Sequence, residues 1–487
     1  MAILKGLAPE CVFTYFEEIC GIPHGSGHTE QISDYLCTFA KERKLDCMQD
    51  QLGNILIKKP GTKGYEDAPV VILQGHMDMV LDQTEDSKVD MENEGLLLTV
   101  KDGIITAEGT TLGGDDGIAV AYMLALLDSE DIPHPPLEAV FTVDEEIGML
   151  GAAAFDMTKL RGKILLNIDS EDEGVLLCSC AGGVTVSATL PVERDRDEGY
   201  FAKVSLEGLC GGHSGVEIHK GRASANHLLG RVLSELEETV SYRLITLHGG
   251  SKDNVIPNFA EAELLLDETG DVKELIKQAA IINDTLRREY EATDPDMKLV
   301  VSIADKTKKA NVMTYQSTSA VIAALYGFPN GVIRMSHEIP GLVQTSLNLG
   351  ILDSDVREVS FSFSVRSSVA SEKNALVGRI RSLIGQLGGD LSVSGDYPAW
   401  EYKKESKLRD LMSRVFEAQY GYAPKVEAIH AGVECGFFAG GIDGLDAISF
   451  GPDMRDIHTA NESMDVKSVA RTWDFLLATL KEIGHDW

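Results

Sequence analysis

Read by the period of its apolar positions, the first 182 residues alternate between helix and strand. TYFEEICGI and EQISDYLCTFAKERK carry apolar residues at helical spacing, and DDGIAVAYMLALLDS is apolar on nearly every side, as a buried helix is. VVILQGH, LEAVFTVD and KILLNID are short apolar runs of strand length. Strands interleaved with helices predict an α/β region, a mixed or parallel sheet flanked by helices. After Gly182-Gly183 the texture changes. KVSLEGL, YRLITLHGG, AEAELLLDE, KLVVSIAD and VREVSFSFSVRSS alternate with period two, and SANHLLGRVLSELEE and VKELIKQAAIINDTLRREYEA are long helical stretches between them. This predicts an α+β insertion. SFSFSVRSS opens a strand-then-helix pattern like the one at KVSLEGL, so the insertion is expected to be a doubled unit. From about residue 400, KLRDLMSRVFEAQYG, AIHAGVECGFFAG and LDAISFGP return to the first style. The expected organisation is one domain in two parts, 1–182 and 400–487, interrupted by a lid, 183–399.

At 487 residues the chain exceeds one ordinary core, which agrees with more than one domain. No apolar run is long enough to span a bilayer. The N-terminal segment MAILKGLAPECVFTYFEEIC has no basic start or small-residue cleavage site and is expected to be an amphipathic helix. Eight cysteines lack framework spacing, and Cys178 and Cys180 alternate like buried strand residues, which points to reduced thiols and the cytoplasm. A formal charge of −33 argues against nucleic acid as a partner, because phosphate binding needs clustered Lys and Arg.

Candidate chemistry gathers where predicted strands give way to loops. His76, Asp115, Glu146 and Asp169 lie in VILQGHMDMV, TTLGGDDGIA, AVFTVDEEIG and ILLNIDSED, and His458 follows in FGPDMRDIHTANES. Two imidazoles and three carboxylates suit a pair of divalent ions, with a carboxylate able to bridge. Asp78 stands two residues after His76, so in extended chain it points the same way and can accept a hydrogen bond from the imidazole. In DEEIG, adjacent acids repel one another unless cations or solvent compensate. They also allow one to ligate a metal while Glu145 stays free as a general base. Each motif has a plainer reading alone: a structural histidine, an N-cap at Asp115 or Asp116, an exposed acidic turn.

GHMDMV, GGDDG, DEEIG, the strand-end Asp169 and IHTANE together resemble the ordered motif set of the M20 metallopeptidase family. The large lid, GGHSGVEIHKGRASAN and FGPDMRDIHTANES resemble in particular its aminoacyl-histidine (Xaa-His) dipeptidase branch, over essentially the whole chain. The resemblance implies a zinc-peptidase-like catalytic domain split by a lid. It implies two divalent ions per subunit, zinc by default, with cobalt or manganese also suited to such ligands. One would be held by His76 and Asp169, the other by Glu146 and His458, with Asp115 bridging. Glu145 would be the general base and Asp78 the orienter of His76, and the Asp115–Asp116 peptide is expected to be cis. In the lid, His213 would donate to the oxyanion, in some relatives from a partner subunit, with His219 as a fallback. Asn254 and Arg366 would hold substrate backbone and C-terminal carboxylate, and His430 and Glu434 would line the pocket. The implied activity is hydrolysis of dipeptides with a free C-terminal carboxylate, Xaa-His dipeptides and β-alanyl-histidine among them, by a homodimer. The rivals are an N-acyl-amino-acid deacylase or a tripeptidase of the same family, and a non-catalytic metal- or peptide-binding protein.

Overall fold

A computed structural model describes residues 3–304 and 307–486. The chain forms two compact units, one of residues 1–180, 400–428 and 433–487, the other of 181–399 and 429–432. The four residues 429–432 thus leave the C-terminal part to which the sequence assigns them. The Ala181 N–H donates to the carbonyls of Ile429 and Ala431, and His430 Nε2 lies 2.7 Å from Ser346 Oγ, so this stretch is bonded into the second unit.

In the first unit the central strands are β1 (Val71–His76), β2 (Leu137–Thr142), β3 (Ile164–Asn167) and β4 (Asp446–Ser449). They run parallel in the order β2-β1-β3-β4. Antiparallel strands 46–49 and 55–59 extend the sheet beyond β2, the antiparallel strand 175–180 extends it beyond β4, and strand 425–429 lies outside that. Every residue of β1, β2 and β3 is buried, which explains their continuous apolar runs in place of alternation. Helix α1 (Glu10–Cys20) occupies much of the N-terminal segment, α2 (Glu30–Glu42) follows it, and α3 (Gly114–Asp128) is buried along almost its whole length. Cys178 and Cys180 are buried on their strand, and all eight thiols are free.

The second unit holds an antiparallel sheet with the order 298–303, 194–207, 260–266, 242–249, 343–354, 358–367, 182–191, 390–397. It is doubled, with a nesting the sequence pattern does not show. Strand 194–207, helix 225–237, strands 242–249 and 260–266, helix 269–289 and strand 298–303 make a βαββαβ motif of spatial order 4-1-3-2. Strand 182–191, helix 315–327, strands 343–354 and 358–367, helix 370–386 and strand 390–397 repeat that order. The first motif is inserted after the first strand of the second. SFSFSVRSS is therefore a third strand, equivalent to AEAELLLDE and not to KVSLEGL. The mismatch arises because the true first strand, 182–191, is separated from its own motif by the whole inserted copy. One continuous core underlies both copies, from Val184 through Leu233 and Leu264 to Phe361 and Ile384.

Candidate metal centre and active-site groups

The chemistry-bearing residues of the first unit collect beyond the carboxyl ends of β1–β4, where open α/β sheets place their sites. His76 ends β1, Glu145 and Glu146 follow β2, and Asp169 follows β3. Asp115 and Asp116 stand in the first turn of α3 with non-helical backbone angles, joined by a cis peptide. His458 holds φ 63° and Asp144 holds φ 54°, left-handed conformations that a non-glycine residue adopts only where its surroundings enforce them. Gly75 is required for a different reason. A Cβ there would collide with the Asp116 carboxylate and the Ala119 methyl, so its absence lets α3 close onto β1. In that contact Asp116 Oδ2 accepts the His76 N–H at 3.1 Å.

Asp115 joins the two imidazoles. Its Oδ1 is 3.2 Å from His76 Nε2 and its Oδ2 is 3.1 Å from His458 Nε2. Glu146 Oε1 lies 2.9 Å from the same His458 nitrogen. Ligand atoms of Asp115, Glu146 and His458 all fall within 4.8 Å of one another, as do those of His76, Asp116 and Asp169 and those of His76, Glu145 and Glu146. All five residues of the expected ligand set are thus brought together, with Asp116 and Glu145 among them.

This cluster carries more negative charge than its own groups neutralise. Burial, then repulsion from Asp169 and Asp115, pushes the Asp116 carboxyl well above the usual range, though His76 opposes the shift. Burial likewise raises Asp169 and Glu145 well above the carboxylate range, again against His76. Burial alone would depress His76, but the carboxylates of Asp115 and Asp78 outweigh it and hold the imidazole well above its ordinary value. Asp115 and then Glu146 raise His458 to about 10. Asp116 Oδ1 is buried and accepts no hydrogen bond. Nitrogen and carboxylate donors in this proportion, with an acceptor left over, fit a pair of divalent cations.

Asp78 lies against His76 with both its main-chain carbonyl and its carboxylate. The nearest acceptor to His76 Nδ1 is the Asp78 main-chain carbonyl at 3.0 Å, with carboxylate Oδ1 farther off at 3.5 Å. The Asp78 carboxylate also accepts the N–H of Glu145 at 3.0 Å, the N–H of Glu146 at 3.3 Å and the Ser26 hydroxyl at 2.7 Å. It braces the loop that carries both glutamates. The Gly27 N–H on Asp144 Oδ1 at 2.7 Å adds a second tie from the same N-terminal loop, which the sequence pattern does not single out.

Glu434 is fully buried. Its Oε2 accepts from Gln74 Nε2 at 2.5 Å and Thr142 Oγ1 at 2.6 Å, beneath the ends of β1 and β2, and burial raises its carboxyl to about 7. Its other oxygen, Oε1, is buried and accepts no hydrogen bond, and its charge helps to raise Glu145 and Asp169. Glu462, unlike Glu434, is missed by sequence reasoning, although it lies in IHTANE. Its carboxylate accepts four successive backbone N–H groups, from Leu112 to Asp115.

The second unit has its own cluster. His213 Nδ1 accepts the N–H groups of Gly215 at 3.1 Å and Val216 at 3.2 Å, so the ring proton resides on Nε2. Burial, then Arg366, keeps that imidazole below its ordinary pKa and therefore neutral. Gly212 holds φ 138°, a conformation that favours glycine, and the Glu217 carboxylate accepts the His213 N–H at 2.9 Å in front of the ring. Asn254 adjoins this loop through its carbonyl, which accepts the Ser214 N–H at 2.9 Å. Arg366 is buried on strand 358–367 and donates from Nη1 to the Tyr397 hydroxyl at 2.8 Å. Its Nε makes no hydrogen bond, and no carboxylate pairs with it among the described residues. Burial and then Arg366 lower His430 to about 3. His219 is exposed on the short helix 218–220, away from such contacts.

Residues 72–482 match the family model for peptidase family M20/M25/M40. The chain is 36% identical over 487 residues to the cytosol non-specific dipeptidase of Escherichia coli (strain K12), covering 99% of each sequence. It superposes with a TM-score of 0.92 on the crystal structure of aminoacylhistidine dipeptidase from Vibrio alginolyticus, at 36% identity and covering 98% of this chain and 97% of that one. Aminopeptidase PepT from Bacillus cereus shares the fold at 16% identity, with a TM-score of 0.58 and coverage of 98% and 99%.

Proposed function

The chain belongs to peptidase family M20/M25/M40, and from that premise we propose that it is a metallodipeptidase cleaving dipeptides with a free C-terminal carboxylate, Xaa-His dipeptides among them. The observation that carries this reading is the loop after β2. There Glu146 faces His458, while the adjacent Glu145 lies by His76 and no hydrogen bond reaches its carboxylate among the described residues. The family membership and the full-length similarity to two dipeptidases support it.

His76 and Asp169 would hold one ion and Glu146 and His458 the other, with Asp115 between them. When bound, the ions supply Lewis acidity, activating a water and polarising the scissile carbonyl. Glu145 takes the proton of the attacking water and returns it to the leaving amine; its buried setting, which disfavours charge, suits a group that must carry a proton between steps. His213, neutral and with its proton on Nε2, donates to the oxyanion of the tetrahedral intermediate. Arg366, a buried guanidinium without a carboxylate partner, receives the substrate carboxylate, and its planar fork suits two parallel hydrogen bonds. Asn254 holds the substrate backbone.

Zinc is the default ion from the donor types, with cobalt or manganese also compatible. Eight free thiols and the name of the Escherichia coli relative support a cytoplasmic setting, and the family resemblance supports a homodimer. Among the described residues no helix is long and apolar enough to cross a membrane. A substrate panel tests the activity: Xaa-His dipeptides, β-alanyl-histidine, acetylated amino acids and tripeptides. Turnover of dipeptides above the rest is expected, and preference for acetylated amino acids or tripeptides would overturn it.

A further inference from the structure

Four backbone amides in a row converge on one side chain that ligates nothing in the proposed site. Glu462 is 3% exposed. Its Oε2 accepts the N–H of Leu112 at 2.8 Å and of Gly113 at 3.0 Å, and its Oε1 accepts the N–H of Gly114 at 2.8 Å and of Asp115 at 3.3 Å. The carboxylate therefore grips the turn that leads into α3, up to the residue whose side chain spans both imidazoles. The fit is close, since a Cβ on Gly114 would stand 3.2 Å from Glu462 Oε1 and 3.1 Å from Met454 Sδ.

Glu462 belongs to the same short loop as His458. That loop is stiffened from within: Thr459 Oγ1 donates to the Asp456 carbonyl at 2.7 Å, and the Glu462 N–H donates to the Thr459 carbonyl at 3.0 Å. From outside, Asp82 Oδ2 accepts the Ala460 N–H at 3.0 Å. His458 is held in its left-handed backbone conformation inside this frame. The position of His458 relative to Asp115 thus runs through a few rigid residues to Glu462 and from there directly onto the Asp115 amide.

We propose that Glu462 is a positioning residue of the metal centre, a carboxylate that sets the spacing between Asp115 and His458 by gripping the backbone of one from the loop of the other. This rests on the reading of the cluster as a metal site. The ion held by Glu146 and His458 depends on that spacing, whereas the ion held by His76 and Asp169 draws its other ligands from β1 and β3, which Glu462 does not touch. Supporting carboxylates of this kind are worth roughly 10–100-fold in metal affinity.

The test is a titration of the metal-free protein with cobalt(II), followed by absorption and by heat, on wild type, Glu462→Gln, Glu462→Ala and His458→Ala. Wild type is expected to bind in two steps, one of which His458→Ala abolishes. In Glu462→Gln that same step should weaken by about 10–100-fold, and the other, which shares only Asp115, by clearly less. Should Glu462→Ala fail to fold, Glu462→Asp, which keeps the charge but withdraws it by one methylene, reads the same effect. A folded Glu462→Gln with a lower Tm and both steps intact would make the residue a structural brace only and overturn the proposal. Equal weakening of both steps would overturn it too. A wild type that takes up no cobalt would instead sink the metal-centre reading itself.

Discussion

Around Asp115 the first unit buries carboxylates in excess of its imidazoles, whereas around Arg366 the second unit buries nitrogen groups that no carboxylate pairs with among the described residues. In the first cluster, Asp116, Glu145 and Asp169 are pushed up by burial and by neighbouring carboxylates. In the second, His213 and His430 are pushed down by burial and by Arg366. An isolated protein gains nothing from either arrangement, because uncompensated buried charge is costly. On the function proposed above, the two clusters would take partners of opposite sign: cations for the first, a peptide carboxylate and a developing oxyanion for the second. They also differ in how they are held. The acidic loops are braced by further carboxylates, Asp78 and Glu462, which grip backbone amides, while the His213 loop is fixed by glycines and by amides that grip the imidazole.

Substitutions can break that contrast, and the largest effect is expected in the acidic cluster. Glu145→Gln keeps the shape of the loop and removes the proton acceptor, so kcat should fall by about 10²–10⁴-fold while metal content stays at the wild-type level. Single-turnover kinetics with elemental analysis check both halves, and near-normal kcat would remove Glu145 from its role. His213→Ala should cost about 10²–10³-fold in kcat. His213→Gln, whose amide can stand in for the Nε2–H donor, should recover more of that loss than His213→Asn, and the reverse order would mean that the other ring nitrogen donates. Arg366→Met should lower kcat/KM for free dipeptides by roughly 10–100-fold, from the loss of charged hydrogen bonds. It should scarcely change the residual rate on C-terminally amidated dipeptides, and an equal loss on both would detach Arg366 from the carboxylate.

The smallest effect concerns stability. His430 has a folded pKa of about 3 against an ordinary value of 6.5, so below pH 6.5 the unfolded chain binds a proton that the folded chain refuses. Its contribution is complete above the unfolded value and is lost as pH falls toward about 3, at about 1.4 kcal/mol per pH unit at most. His430→Gln should flatten this acid limb in urea unfolding midpoints measured against pH. An unchanged slope would mean that His430 is protonated in the folded state.

The parts of the site visible in the sequence are those whose signal is local. His76, Glu146 and Asp169 stand at the ends of apolar strands, and a strand end marks the mouth of an open α/β sheet whatever the rest of the chain does. The supporting groups are hidden because their partners are distant. Nothing near Glu462 shows that its carboxylate will meet amides some 350 residues earlier. Asp78 is legible as a neighbour of His76, two residues on, but its grip on the Glu145 and Glu146 amides is not, because that loop follows another strand. Glu434 sits in a motif rich in small residues, yet its partners Gln74 and Thr142 lie inside apolar strands where polar side chains carry no outward sign of what they bond. The doubled second unit is concealed by its nesting. Period-two patterning identifies most of its strands but not which copy each belongs to, because that follows from the pairing of 182–191 with 358–367 across the inserted copy.

The contrast between the clusters rests on the first one holding cations, and elemental analysis of the purified protein before and after chelation, with dipeptide hydrolysis followed in parallel, tests this most directly. Two divalent ions per chain are expected, with hydrolysis lost as they are removed and restored when they return. Full activity in a protein stripped of divalent metal would contradict it.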